Sequence, residues 1–130
     1  MIAADTSTWV AFLEGAKGED VELLDRALQE RQVLMSPVVL TELLSDPNLP
    51  ADVADTLVDV PLIEIEEGFW QRAGSLRAKV LSRRRKVRLG DALIAQSCVD
   101  RGVALITRDR DFRAFVDGAG LDIVPGPTTI

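Results

Sequence analysis

The sequence contains no histidine and no tyrosine, and only one of its 130 residues is a cysteine. Without histidine, neither a Ser-His-Asp triad nor a Cys-His pair can be built, and nucleases that use two imidazoles are excluded as well. Zinc sites made of Cys and His are likewise excluded. Cys98 lies in the apolar run 92–99, which predicts a small buried hydrophobic side chain. A single cysteine cannot form an intrachain disulfide, as expected of a protein from a reducing cytosol.

Long hydrophobic runs are also missing. No stretch is long enough to span a membrane, and residues 1–5 lack the basic start and the apolar segment of a signal peptide. A length of 130 residues suits one domain, and 47% hydrophobic residues are sufficient for one core. We therefore expect a soluble, cytoplasmic protein with a single domain over residues 1–130.

Charge is distributed unevenly along the chain, whose net charge is −6. Residues 1–67 carry fifteen acidic and three basic side chains, whereas residues 68–90, the basic arm, contain no acid and eight bases. These bases are Arg72, Arg77, Lys79, Arg83, Arg84, Arg85, Lys86 and Arg88. Such an arm favours a polyanionic ligand, and the acidic remainder opposes indiscriminate binding. A solvated helix face is the alternative interpretation.

Short apolar segments alternate with longer helical patterns, which is typical of an α/β fold. The predicted strands cover residues 1–4, 33–36, 62–65, 103–107 and 121–124. The predicted helices cover residues 8–13, 20–30, 37–44, 51–57, 67–84, 92–100 and 112–117. Ser36-Pro37 predicts a helix start, with Ser as the cap and Pro in the first helical position, and Gly102 predicts a helix end.

Four segments place a carboxylate where a solvent-facing pocket is expected, at Asp5, Glu42, Asp91 and Asp109. Asp5 and Asp109 both follow predicted strands. Because the carboxyl ends of parallel strands meet at one edge of the sheet, the two carboxylates should lie close together if those strands are neighbours. The helices that begin near Pro37 and Asp91 would bring Glu42 and Asp91 to the same edge.

Each of the three aspartates has an ordinary alternative role as a helix cap, worth about 1 kcal/mol. Glu42 does not, because Val39 occupies the capping-box position of its helix. Glu42 also lies among apolar residues, and burial of an unpaired carboxylate would be costly. A shared cation would account for all four carboxylates, and a site of oxygen ligands suits Mg²⁺ or Mn²⁺.

These segments resemble the PIN-domain nucleases and, within them, the small VapC-type toxins. The resemblance extends over nearly the whole chain and rests on the order and spacing of four motifs. They are the Asp5-Thr6-Ser7 segment after the first strand, the 37–45 helix with Glu42, the helix start at 90–95 and the segment 105–112. The resemblance implies a three-layer α/β/α fold with a central, mainly parallel sheet of about five strands.

The resemblance also implies an acidic, catalytic pocket that binds Mg²⁺ or Mn²⁺ and is formed by Asp5, Glu42, Asp91 and Asp109. Asp111 either assists in binding the ion or caps a helix that begins at Phe112. Three hydroxyl groups are candidates to support the ligands through hydrogen bonds, with ordinary turn or cap bonding as the alternative. They belong to Thr6, Ser7 and Thr107.

A divalent ion can activate a water for in-line attack on phosphorus and stabilise the leaving oxygen, so no side-chain nucleophile is needed. The resemblance implies RNA as the substrate, cleaved to 5′-phosphate and 3′-hydroxyl ends. It implies a VapB-like antitoxin and a second copy of the chain as partners, and the stripe of Val21, Leu24 and Leu28 suits either such a contact or core packing. The RNA phosphates would be held by Arg83, Arg84, Arg85, Lys86 and Arg88.

Three other functions stay open. One is a PIN-domain nuclease that processes RNA without being a toxin. Another is a phosphatase or phosphotransferase of the haloacid-dehalogenase type, which also begins with an aspartate after the first strand but requires a second aspartate where Ser7 stands. The third is a binding module that has the fold but acts only through its partner.

Overall fold

Four short parallel strands form the centre of the molecule in the computed structural model, which describes residues 1–126. Their order is β2-β1-β3-β4, and Ala4 of β1 is paired with Ile106 of β3. The strands are β1 (Ile2–Ala4), β2 (Val33–Leu34), β3 (Ala104–Ile106) and β4 (Ile123–Val124). Ala3, Ala4, Leu105 and Ile106 are fully buried, as expected of central strands covered by helices on both faces.

Helices connect the strands, since parallel neighbours require crossover connections. They are α1 (Thr6–Leu13), α2 (Glu19–Gln29), α3 (Pro37–Leu44), α4 (Ala51–Val58), α5 (Phe69–Ser82), α6 (Leu89–Arg101) and α7 (Ala114–Ala119). A 3-10 helix, Arg110–Arg113, precedes α7. Both α2 and α6 pack on β3, with α1 against α2 and α5 against α6. The predicted α/β fold with a parallel central sheet is thereby confirmed, and of the predicted domain 1–130 only residues 127–130 lie outside the described residues.

The prediction of a strand at 62–65 is wrong, because this segment forms a single bridge, between Leu62 and Met35. Two backbone hydrogen bonds hold it, from Met35 N to Pro61 O (2.7 Å) and from Ile63 N to Met35 O (2.9 Å). The pairing stops there because helix α3 begins at Pro37, so β2 provides no further backbone partner.

Helix boundaries differ from the predictions at three places that concern the site. The helix predicted for 8–13 begins at Thr6, directly after its cap Asp5. The helix predicted for 92–100 begins at Leu89, so Asp91 lies inside its first turn. The helix predicted for 112–117 is replaced by the 3-10 helix and α7, so Phe112 does not begin a helix but lies within the 3-10 turn.

Side chains that the sequence assigns to the core are found there. Cys98 is fully buried, and burial raises the pKa of its thiol to about 12, so the residue is a protonated, small hydrophobic side chain. In the stripe on α2, Leu24 is fully buried and Leu28 packs against the core, which confirms core packing for these two. Among residues 1–126, no helix has both the length and the apolar character needed to cross a bilayer.

Candidate metal centre

The carboxyl ends of β1 and β3 bring two chain segments together that are about a hundred residues apart. The backbone N–H of Asp5 donates to the carbonyl of Ile106 at 3.0 Å, so the loop after β1 adjoins the loop after β3. Thr107 and Asp109 belong to the second loop. The expectation that the first and last of the four carboxylates share one edge of the sheet is confirmed.

Asp5 is a buried carboxylate held by several donors. Its carboxylate accepts hydrogen bonds from Thr8 N (3.0 Å), from Ser7 Oγ (2.9 Å) and from Thr107 Oγ1 (2.7 Å), and the side chain is only 2% exposed. Burial raises the pKa of Asp5, and the hydrogen bonds offset part of this increase. Asp5 also caps α1, which confirms the cap role, and its role as a metal ligand stays a prediction.

The hydroxyl group of Thr107 connects two of the site carboxylates. It donates to Asp5 and accepts from the backbone N–H of Asp109 at 2.9 Å. Asp109 in turn accepts from the backbone N–H of Asp111 at 2.9 Å and thereby caps the 3-10 helix. Thr107 and Ser7 thus donate hydrogen bonds to a predicted ligand, and Thr107 couples the positions of Asp5, Asp109 and Asp111.

Asp91 reaches the site from the first turn of α6. The cap position of that helix is occupied by Arg88, so the alternative of a cap role for Asp91 is wrong. The pKa of Asp91 is raised to about 6, first by burial and then by the negative charge of Asp109, with smaller contributions from Glu42 and Asp5; Arg88 opposes the shift.

Glu42 is exposed, so the argument that it must be a costly buried carboxylate is wrong. Helix α3 buries Val39 and Leu43, which are four residues apart, and Glu42 lies on a different face. It nevertheless lies beside the start of α6. Thr6 Oγ1 donates to Glu42 Oε1 at 2.8 Å, and both carboxylate oxygens lie 4.0 Å from the place where a Cβ on Gly90 would stand.

The closest group of ligand atoms is formed by Asp91, Asp109 and Asp111, each of which offers an oxygen within 4.8 Å of the other two. Oxygens bound to one Mg²⁺ at about 2.1 Å are roughly 3 to 4 Å apart, so small side-chain movements would complete a shared site. Asp111, which the sequence left open between ligand and cap, lies in this group, whereas Asp5 and Glu42 lie beside it. The donor set consists entirely of hard oxygens and fits Mg²⁺ or Mn²⁺.

An ion pair behind this cluster was missed by the sequence analysis. Arg108 Nε donates to Asp20 Oδ2 at 2.8 Å, and Thr8 Oγ1 donates to the same oxygen at 3.0 Å. The guanidinium of Arg108 lowers the pKa of Asp20, which is 4% exposed. No local pattern pairs two residues 88 positions apart, and an acid in the first turn of a helix is ordinary.

The five predicted RNA-binding residues lie at residues 83–88, in the turn between α5 and α6, and all are exposed. Arg85 and Lys86 line a cavity of about 240 Å³ together with Asp111. Lys86 and Arg88 line a second cavity, of about 530 Å³, which Asp111 also borders. The arm therefore ends beside the carboxylate cluster.

A family model of the PIN domain matches residues 2–117. The chain belongs to the PIN-domain family. PIN domains are generally nucleases that use divalent metal ions, and an acidic cluster of this kind is present here. No curated protein shows significant sequence similarity to the chain.

Several solved structures share the PIN fold of this chain. VapBC-1 from nontypeable Haemophilus influenzae superimposes with a TM-score of 0.72 at 17% identity, covering 95% of this chain and 96% of that one. VapBC-5 from Mycobacterium tuberculosis gives 0.65 at 23% identity, over 95% and 96%. A toxin–antitoxin complex from Klebsiella pneumoniae gives 0.66 at 21% identity, over 99% and 97%. At these identities the similarity establishes the fold.

Proposed function

We propose that this PIN domain is a Mg²⁺- or Mn²⁺-dependent endoribonuclease and the toxin of a toxin–antitoxin pair. The observation that carries the proposal is the convergence of Asp91, Asp109 and Asp111 at the edge of the sheet, with Asp5 and Glu42 beside them. Carboxylates whose oxygens lie within 4.8 Å of one another repel, and a bound cation would relieve that repulsion.

The chain's own residues have distinct tasks in this proposal. Asp91, Asp109 and Asp111 would hold the ion, which when bound supplies an activated water and neutralises charge on the phosphodiester. Thr107 fixes Asp5 relative to Asp109 through its two hydrogen bonds. Thr6 orients Glu42 at the start of α6. In such a site the protein contributes position and charge rather than a covalent nucleophile.

RNA is proposed as the substrate, with 5′-phosphate and 3′-hydroxyl products, by extension from the family. A haloacid-dehalogenase type of reaction is disfavoured by the state of Asp5. That chemistry needs an aspartate oxygen free to attack phosphorus, whereas both oxygens of Asp5 accept hydrogen bonds and the side chain is almost fully buried. A processing nuclease that is not a toxin would share the same site and differ only in its partner.

An antitoxin and a second copy of the chain are the proposed partners, in the cytoplasm. The neighbour from Klebsiella pneumoniae is described as a toxin–antitoxin complex, and the one from Mycobacterium tuberculosis as a member of the VapBC family of toxin–antitoxin systems. Exposed apolar side chains on the neighbouring helices α1 and α3 are candidates for such contacts. They are Val10, Leu13 and Leu44.

Cleavage of single-stranded RNA by the purified protein tests the function. We expect cleavage in Mn²⁺ or Mg²⁺, none in EDTA, and a rate lower by orders of magnitude for Asp91→Asn. Asp55→Asn, on the exposed face of α4, removes the same charge far from the site and should leave the rate unchanged. Undiminished cleavage in EDTA, or by Asp91→Asn prepared in the same way, would contradict the proposal.

A further inference from the structure

Two arginines of the 3-10 helix, Arg110 and Arg113, share a cavity with the basic arm. The cavity of about 240 Å³ is lined by these two side chains together with Arg85, Lys86 and Asp111. The four bases come from two segments that are about 25 residues apart, and all four are exposed. Only the first segment is evident as a basic run in the sequence, because Arg110 and Arg113 lie among aspartates.

The geometry of the 3-10 helix explains why its side chains point to different places. Residues three apart in such a helix are eclipsed, so Arg110 and Arg113 project from the same side. Asp111 points to the carboxylate cluster, and Phe112 is buried in the core with 1% exposure. One short turn therefore supplies a carboxylate to the candidate metal centre, an aromatic side chain to the core and two arginines to the cavity.

Asp111 connects this cavity with the candidate metal centre. Its carboxylate lies within 4.8 Å of ligand atoms of Asp91 and Asp109, and the same residue borders both cavities at the arm. Arg110 and Arg113 also line a cavity of about 170 Å³ that Asp109 borders. A chain of phosphates that passes the metal centre would therefore come within reach of both arginines.

We propose that Arg85, Lys86, Arg110 and Arg113 form a phosphate-binding groove that positions single-stranded RNA beside the metal centre. The four cations around this cavity exceed the single negative charge of Asp111, and the phosphate backbone of the substrate would compensate the excess. The net charge of −6 makes most of the remaining surface unfavourable for RNA, so the groove also directs the strand. This inference rests on the proposed function and adds Arg110 and Arg113 to it as positioning residues.

Salt dependence of RNA binding tests the groove. The groove double variant carries Arg110→Gln and Arg113→Gln. The control double variant carries Arg26→Gln and Arg101→Gln, at two exposed residues on α2 and α6. Each pair removes two positive charges. Binding of a labelled single-stranded RNA is followed by fluorescence anisotropy in EDTA, so that no metal-dependent cleavage occurs. We expect the slope of log K against log[salt] to decrease by about 1.4 for the groove pair, about 0.7 per lost phosphate contact, and not for the control.

The opposite wall of the groove gives an independent measurement, which is needed if the first pair does not fold. Arg85→Gln with Lys86→Gln should decrease the slope by the same ~1.4, because these residues contact the same strand. In Mn²⁺, either pair should raise the KM for RNA cleavage ~10-fold while kcat stays within ~3-fold. The metal-induced rise in melting temperature should not change, since the metal ligands are intact.

The outcomes separate this inference from the proposed function. If wild type cleaves RNA but both groove pairs keep its salt slope, the groove is refuted and the nuclease stands. If wild type binds RNA with a slope that depends on the groove yet never cleaves it in Mn²⁺, the groove stands and the nuclease is refuted. Absence of RNA binding at low salt would refute the groove.

Discussion

Asp20 and Asp91 each lie in the first turn of a helix, α2 and α6, but in opposite electrostatic surroundings. Asp20 is 4% exposed, is paired with Arg108 at 2.8 Å and has a lowered pKa. Asp91 is less buried, yet its pKa is raised to about 6 by burial and by Asp109. The protein therefore neutralises the deeper carboxylate with an arginine and leaves the more accessible one among like charges. We infer that the compensating charge for Asp91 comes from solution.

Helix α6 contains the same contrast between its two ends. Asp100, in the last turn, is held by Arg72 through a 2.6 Å contact and by Gln96 at 2.8 Å, and its pKa is lowered by Arg72. An acid is unfavourable at a helix C-terminus, so this one requires a cation. Asp91 lies at the N-terminus, where the helix dipole favours an anion, but desolvation and its neighbours outweigh that contribution.

The largest expected effect on this contrast is that of a divalent ion on stability. An ion at about 100 times its dissociation constant should stabilise the wild type by roughly 2.7 kcal/mol, which raises the melting temperature by several degrees. The metal-induced rise in melting temperature should be as large for Asp20→Asn, because Asp20 is already paired with Arg108. It should be much smaller for Asp91→Asn. Calorimetry in EDTA and then in millimolar Mn²⁺ measures the shifts. Equal shifts for Asp91→Asn and wild type would place the ion elsewhere.

A smaller effect is expected when the metal-free protein loses one of the two charges. Asp20→Asn weakens a charge-assisted contact to the partly exposed Arg108 and should lower the free energy of unfolding by about 2 kcal/mol. Asp91→Asn removes repulsion between carboxylates and should leave the free energy of unfolding equal or higher. Urea unfolding in EDTA compares the two variants. A stability loss for Asp91→Asn as large as that for Asp20→Asn would abolish the distinction.

Gly18 belongs to the paired side of this comparison and could not have been recognised from the sequence. Its φ of +154° suits glycine, and a Cβ there would stand 2.6 Å from Asp20 Oδ1 and 2.7 Å from Arg108 Nη2. Such a position depends on two parts of the chain, residues 18–20 and Arg108. The hydrophobic pattern of the sequence predicts the alternation of strands and helices, whereas the approach of Arg108 to Gly18 depends on the assembled fold.

The candidate site was more predictable because strand ends define it. Asp5 and Asp109 follow neighbouring strands, and parallel order places both at one edge. The cap roles weighed for these two residues are confirmed, and the ligand roles stay predictions. For Asp109 the cap role does not exclude the ligand role, since a capping carboxylate retains lone pairs and Asp109 lies in the carboxylate cluster. The burial of Glu42 was misjudged because α3 is apolar on more than one face, and apolar neighbours in sequence are not neighbours in space.

The smallest expected effect is that of pH on the stability of the metal-free protein. Its sign differs between carboxyl groups with a raised pKa and those with a lowered pKa. The pKa of Asp91 is about 6 in the folded protein, above its ordinary value of 3.8, so the folded state binds more protons than the unfolded state between these values. Stability should therefore fall as pH rises from about 4 to about 6, and Asp5 adds to this direction.

Asp20 and Asp100 have lowered pKa values, so their stabilisation is complete above the ordinary value of 3.8 and is lost only as pH falls through the folded values. The two pH windows do not overlap. Because Asp91 is partly solvated, its contribution should be at most about 1 kcal/mol.

Urea unfolding of wild type and Asp91→Asn at about pH 4.5 and pH 6.5 isolates this contribution, since all other groups are common to both proteins. In EDTA the wild type should lose stability relative to the variant as pH rises. In Mn²⁺ the sign should reverse, because the ion binds the deprotonated carboxylate and competes with the proton. A relative stability that is independent of pH in both media would mean that Asp91 titrates as an ordinary surface acid, and the contrast with Asp20 would then be one of burial alone.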